Sequence, residues 1–244
     1  MPKASARSPA TCSVDQIANE PGASGAPDPI TLAAQYAGMA RDGRTLRALT
    51  SELIDALEHS DDARLRVAAL GALVRGTNET VRRQAWRSGA GATDRAVRLR
   101  AAELTPHLTA PAPSVLVRLI ADPDELVADA ACFAAGEVLW PDAGRARVVR
   151  ALTTAAVHPD PLVRESAVAA LGSIGDPAGV PAILAGCSDR PTVRRRAVLA
   201  LAPFDGPEIE AALHRALTDS DWQTRQAAED LVNAAVSESC ADPA

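Results

Sequence analysis

From Arg44 onward, apolar residues recur at spacings of three and four in short segments separated by Asp, Pro and Gly, which predicts amphipathic helices joined by tight turns. Two kinds of segment alternate. In Glu208–Leu217, the residues Ile209, Leu213, Ala216 and Leu217 fall on one stripe of a helix. After Asp160, the residues Val163, Ala167, Ala170, Leu171 and Ile174 form a second stripe, with small side chains where a neighbouring helix must come close. An aspartate opens this second kind of segment at Asp124, Asp160 and Asp221, where a carboxylate accepts the unpaired amides of the first turn and offsets the positive helix end. Pro161 and Pro191 suit the same turn, because the amide they remove has no helical partner.

The second segment is also a repeated phrase. Arg66, Arg98, Arg164, Arg194 and Arg225 each follow an acid by four or five residues, at Asp62, Asp94, Asp160, Asp189 and Asp221. Each precedes an alanine by three, at Ala69, Ala101, Ala167, Ala197 and Ala228. In a sixth copy Ala128 stands in the arginine's place, four residues after Asp124. Successive copies are 32, 30, 36, 30 and 31 residues apart, so the long interval lies between Ala128 and Arg164. A period of this size means stacked helical repeats, each burying its apolar face only against its neighbours.

The Asp…Val-Arg-x-x-Ala-x-x-Ala-Leu-Gly phrase, clearest at Asp160–Gly172, resembles the second helix of HEAT repeats, in particular the HEAT-like type also found in phycobilin lyases. The likeness runs roughly from Arg44 to Ala235. It implies an all-α fold, a right-handed α-solenoid of about six antiparallel helix pairs, with first helices on the convex side and second helices lining a concave groove. It also implies that the acid and arginine of the phrase form a ladder between adjacent repeats, here drawn from Asp62, Arg66, Asp94, Arg98, Asp160, Arg164, Asp189, Arg194, Asp221 and Arg225. A rung should be missing at Ala128. Residues 30–236 are expected to form the solenoid, opened by a capping amphipathic helix at Ile30–Arg41. A Pro/Gly/Ser-rich tail at 1–29 is expected to be flexible, and a polar end at 237–244 to fray.

Hydrophobic residues make up 47% of the chain and aromatic ones only 2%, so the core must be built from Ala, Leu and Val at close helix spacing. No apolar run approaches the roughly 20 residues that a membrane-spanning helix requires, so no membrane association is expected. No continuous apolar segment follows Lys3, so no secretory leader is expected either. Cys12, Cys132, Cys187 and Cys240 are scattered without metal-ligand spacing, and the expected compartment is the reducing cytoplasm.

The search for chemistry finds no catalytic residues. His59, His107, His158 and His214 fall in separate repeats, and no His-Glu dipeptide of the kind that holds iron in HEAT-repeat deoxyhypusine hydroxylases is present. Phosphate-binding glycine loops, nucleophile elbows and HExxH sequences are absent from the sequence. Neither a metal nor a cofactor is expected. An arginine cluster at Arg82, Arg83, Arg87, Arg95, Arg98 and Arg100 is set against a net charge of −6, which disfavours the broad positive field that nucleic-acid binding needs.

Two features point to a protein partner instead. Trp140 lies before a proline in the long interval, at Glu137–Arg145, where an indole can project as an anchor. The row five residues after the motif arginine, Gly71, Glu103, Phe133, Ala169, Leu199 and Asp230, should face the groove. Phe133 and Leu199 then flank Ala169 as an apolar floor beside Arg195, with Gln226 on the last helix. The expected function is a non-catalytic module, a scaffold, adaptor or assembly factor, that binds another protein in the groove. The resemblance supplies enzyme alternatives, the HEAT-like alkylpurine DNA glycosylases and the bilin lyases.

Overall fold

A computed structural model describes residues 49–241 and the single positions 32 and 35, with side chains as far as residue 234. The tail at 1–29, the end at 242–244 and the capping helix at Ile30–Arg41, apart from Leu32 and Gln35, lie outside the described residues. Among those described there are twelve α-helices and no strand. They alternate as six consecutive pairs: α1 (Thr50–His59) with α2 (Ala63–Gly76), α3 (Glu79–Ala90) with α4 (Arg95–Leu104), α5 (Pro113–Ile120) with α6 (Glu125–Gly136). The series continues as α7 (Asp142–Ala155) with α8 (Pro161–Ile174), α9 (Val180–Gly186) with α10 (Pro191–Ala200), and α11 (Pro207–Ala216) with α12 (Trp222–Ala241).

The second helix of most pairs begins on a capping aspartate. Asp62 accepts from the amides of Arg64 and Leu65, Asp94 from Ala96 and Val97, Asp124 from Leu126 and Val127, and Asp160 from Leu162. Asp221 accepts from the Thr224 amide and hydroxyl. Each cap satisfies donors that the helix itself leaves unpaired. Gly175 ends α8 at φ 67, a left-handed conformation that glycine adopts without steric cost.

The second helices form a continuous row, α2 against α4, then α6, α8, α10 and α12, and they pack side by side more extensively than most of the first helices do. Closer spacing on one side of a stack is the inner side of its curve, so the second helices line the concave face. Small residues permit this approach. At Gly136 a side chain would come within 3.1 Å of the Ala170 backbone, and at Gly172 within 2.7 Å of Ala200. The core is mostly Ala, Leu and Val, as the low aromatic content requires, with the fully buried Trp86 as its largest member. The Trp86 indole donates to the Ala101 carbonyl at 3.0 Å and to the buried Thr105 hydroxyl at 3.2 Å.

The ladder exists, but of the acids the repeated phrase suggests only Asp189 serves as a rung among the described residues. Arg98 grips Asp122 with two bonds of 2.7 and 3.0 Å, Arg164 grips Asp189 at 2.6 and 2.8 Å, and Arg194 grips Asp219 at 2.9 and 2.6 Å. Each arginine belongs to one repeat and each acid to the turn before the second helix of the next. Asp62, Asp94, Asp160 and Asp221 are helix caps and not rungs, because their oxygens face the first-turn amides of their own helices. Arg66 donates instead to the Leu57 carbonyl, and Arg225 to the carbonyls of Asp219 and Ser220. Where Arg66 would find its acid stands Ala92. Opposite Ala128 stands His158, whose Nδ1 accepts the Asp160 amide at 3.0 Å. At that joint both halves of the rung have been replaced.

Trp140 is also corrected. It is 5% exposed, and its indole donates to the Ala135 carbonyl at 2.8 Å, so it closes the gap between α6 and α7 from inside. The residue that projects from the long interval is its neighbour Leu139, 98% exposed.

Candidate functional site

The concave face carries the one systematic departure from burial. The exposed large apolar side chains among the described residues are Leu126, Phe133, Leu139, Val157, Leu162, Leu199 and Trp222. Leu139 and Val157 sit in connections, and every one that lies in a helix belongs to a second helix. Phe133 on α6 is 63% exposed and Leu199 on α10 is 40% exposed, on either side of the half-buried Ala169 of α8. A cleft of about 520 Å³ between α8 and α10 is lined by Ala169, Gly172, Ser173, Arg196, Leu199 and Pro203. Its floor is open because Gly172 and Ala200 have no side chains long enough to fill it.

Polar groups around this floor are tied to one another across the joints. The Ser166 hydroxyl donates to Asp129 between α8 and α6, and Arg196 lies 3.5 Å from Glu165 between α10 and α8. Arg195, half-buried, donates to Gln223 at 2.8 Å, linking α10 to α12, while Gln226 is exposed and donates to Asp230 at 2.8 Å. Of the residues named from sequence, Phe133, Leu199, Arg195 and Gln226 therefore lie on the second-helix face, and Trp140 does not. The reading missed Leu126, Leu162 and Trp222. Leu126 and Leu162 occupy equivalent places, two residues before Ala128 and Arg164, so aligning the copies on that row would have found them.

A second cleft of about 530 Å³ opens between α2 and α4, floored by Val67, Ala68, Ala72, Ala96 and Leu99 and edged by Arg64, Arg75, Arg100 and Glu103. Arg100 pairs with Glu103 at 2.7 Å, and its guanidinium lies over Gly71, 3.5 Å from where a side chain there would begin. Burial and the Arg100 charge lower the Arg75 pKa, and burial followed by the charges of Arg75, Arg100 and Arg82 lowers that of His107.

Elsewhere the titratable groups serve the scaffold. Burial opposes the charge on Asp122, yet hydrogen bonds from Arg98 and the Asp124 amide hold its pKa below the usual 3.8. Hydrogen bonds from Arg164 and Arg194 do the same for Asp189 and Asp219. Burial pushes the Cys132 thiol up to about 12 and the Cys187 thiol up to about 11, which suppresses the reactive thiolate. The arginine cluster of α3 and α4 is dispersed: Arg83 pairs with Glu79, Arg95 with Asp124 and Arg98 with Asp122, and Arg82 donates to carbonyls. Among the described residues, no group of three or more His, Cys, Asp or Glu side chains is placed to hold a metal ion, and no helix is long and apolar enough to cross a membrane.

Residues 112–192 match the family model for HEAT repeats. Among solved structures, an engineered protein superposes with a TM-score of 0.57 at 19% identity, covering 75% of this chain and 97% of its own. A designed armadillo repeat protein in complex with the peptide (KR)4 gives 0.56 at 15% identity, with 75% and 98% covered. YibA of E. coli gives 0.55 at 16% identity, with 85% and 75% covered. No curated protein sequence matches the chain significantly. The repeats within 112–192 match the HEAT type, and the fold is that of HEAT and armadillo-like solenoids.

Proposed function

We propose that the protein is a non-catalytic scaffold that holds a segment of another protein in its concave groove. The observation that carries this reading is the segregation of exposed apolar side chains to the second helices. A chain with only 2% aromatic residues leaves Phe133 and Trp222 63% and 64% exposed, and apolar groups clustered on one face are a mark of an interaction surface. The designed armadillo repeat protein of similar fold forms a complex with the peptide (KR)4, which supports the same use for a solenoid of this shape. Phe133 and Leu199 act as apolar anchors, the cleft beside Ala169 receives a partner side chain, and Arg195, Arg196 and Gln226 supply polar contacts at its edges.

The test is affinity capture with the full chain, wild type against the double variant Phe133→Asp, Leu199→Asp. Proteins retained by the wild type and lost from the variant, with helicity and melting temperature nearly unchanged, support the groove as the binding surface. An unchanged set of captured proteins refutes it, and a collapse of stability assigns the two residues to the core.

A further inference from the structure

We propose that the cleft between α2 and α4 binds an extended acidic peptide segment carrying an apolar residue between two carboxylates. This deepens the scaffold reading and rests on it. The chain has a net charge of −6, yet this cleft presents three arginines against one glutamate, and that glutamate is already paired to Arg100. No ion pair holds Arg64 or Arg75 among the described residues, and both are exposed. Burial and then the neighbouring Arg100 charge lower the Arg75 pKa, against a smaller opposing effect of Glu103, so Arg75 lies close to a second guanidinium at this end of the cleft.

The spacing selects the ligand. Arg64 and Arg75 are eleven residues apart on α2, which places them on one helix face and about 16 Å apart along the axis at 1.5 Å per residue. An extended peptide spans that distance in about five residues at roughly 3.3 Å each. Carboxylates at its two ends meet Arg64 and Arg75, and the stretch between them lies over Val67, Ala68 and Leu99. Arg100, reaching across to Gly71, flanks the middle of the segment. Nucleic acid fits poorly: the floor has no aromatic ring for a base to stack on, and three separated arginines do not form a phosphate-tracking field.

The test uses the full chain and a fluorescein-labelled peptide with glutamates at the two ends of a five-residue stretch and a leucine at its centre, so that all three side chains share one face of the extended chain, followed by fluorescence anisotropy. Binding is expected to weaken at least ten-fold when Arg64 and Arg75 are both changed to Glu, when the glutamates become glutamine, and when salt is raised. Circular dichroism checks that the double variant keeps its helicity, and Arg75→Gln alone should give an intermediate loss. The variant Phe133→Asp, Leu199→Asp should bind this peptide as the wild type does, so failure of the central groove and failure of this cleft are separable. Equal affinity for wild type and the arginine variant, equal binding of a lysine-for-glutamate peptide, or no binding at all overturns the proposal. So does self-association of the protein that the arginine variant abolishes, which would make a second copy the occupant.

Discussion

Removing one rung measures what the ladder contributes. Arg164 makes four hydrogen bonds: two to Asp189 at 2.6 and 2.8 Å, and two to the carbonyls of His158 and Pro159 at 2.8 and 2.9 Å. Only 14% of its side chain and 21% of that of Asp189 are exposed. Exposed ion pairs contribute about 0.2–1 kcal/mol, and breaking a fully buried one costs about 3–5 kcal/mol. A mostly covered bidentate pair falls between, so Arg164→Ala should cost about 2–3 kcal/mol. Urea unfolding near neutral pH, with Asp189→Asn completing a double-mutant cycle, should show a coupling of about 1–2 kcal/mol. Because each repeat touches only its neighbours, the loss falls on a single interface and should broaden the transition as well as shift it. A cost below about 0.5 kcal/mol, or strictly additive single changes, would show that the rung is a surface decoration.

Gly172→Ala should destabilise by about 1–3 kcal/mol, since its new methyl would lie 2.7 Å from Ala200; Gly71→Ala, which meets only Arg100 at 3.5 Å, should be neutral or stabilise by up to about 1 kcal/mol, and thermal melts of the two variants compare them. Trp140→Ala should cost about 3–5 kcal/mol, and Trp222→Ala should stay within about 0.5 kcal/mol, by urea unfolding. The folded pKa values of Asp122, Asp189 and Asp219 lie below the ordinary 3.8, so their contribution is fully present above that value and is lost as pH falls through it toward the lower folded values. Melting temperature should therefore drop as pH falls below about 4, and more gently in Asp189→Asn.

The period, the helix pairs and the caps were legible because each depends on local chemistry: an aspartate beside free amides, an apolar stripe, an alanine where helices touch. Most of the rung partners were not. The phrase is anchored on its arginine, and the nearest acid in sequence, such as Asp94 before Arg98, is committed to its own helix, while the acid that completes the rung, Asp122, belongs to the next repeat. Trp140 shows a different limit. A loop tryptophan is equally compatible with an outward anchor and an inward plug, and only the Ala135 carbonyl within reach of its indole decides between them. The exposure of Phe133 follows from register, because five residues past the motif position turns the side chain away from the buried stripe.

Rungs tie the second pair to the third and the last three pairs together, but Arg66 faces Ala92 and Ala128 faces His158 without one. The rungs therefore divide the stack into two bridged blocks and a lone first pair. Between α6 and α8, directly beside Phe133, close packing stands in for the missing pair: a side chain at Gly136 would come within 3.1 Å of the Ala170 backbone, and the Ser166 hydroxyl donates to Asp129 across the joint. The surface beside Phe133 is thus held without a bidentate ion pair, and it is expected to keep its shape at an acidity that releases the rungs on either side.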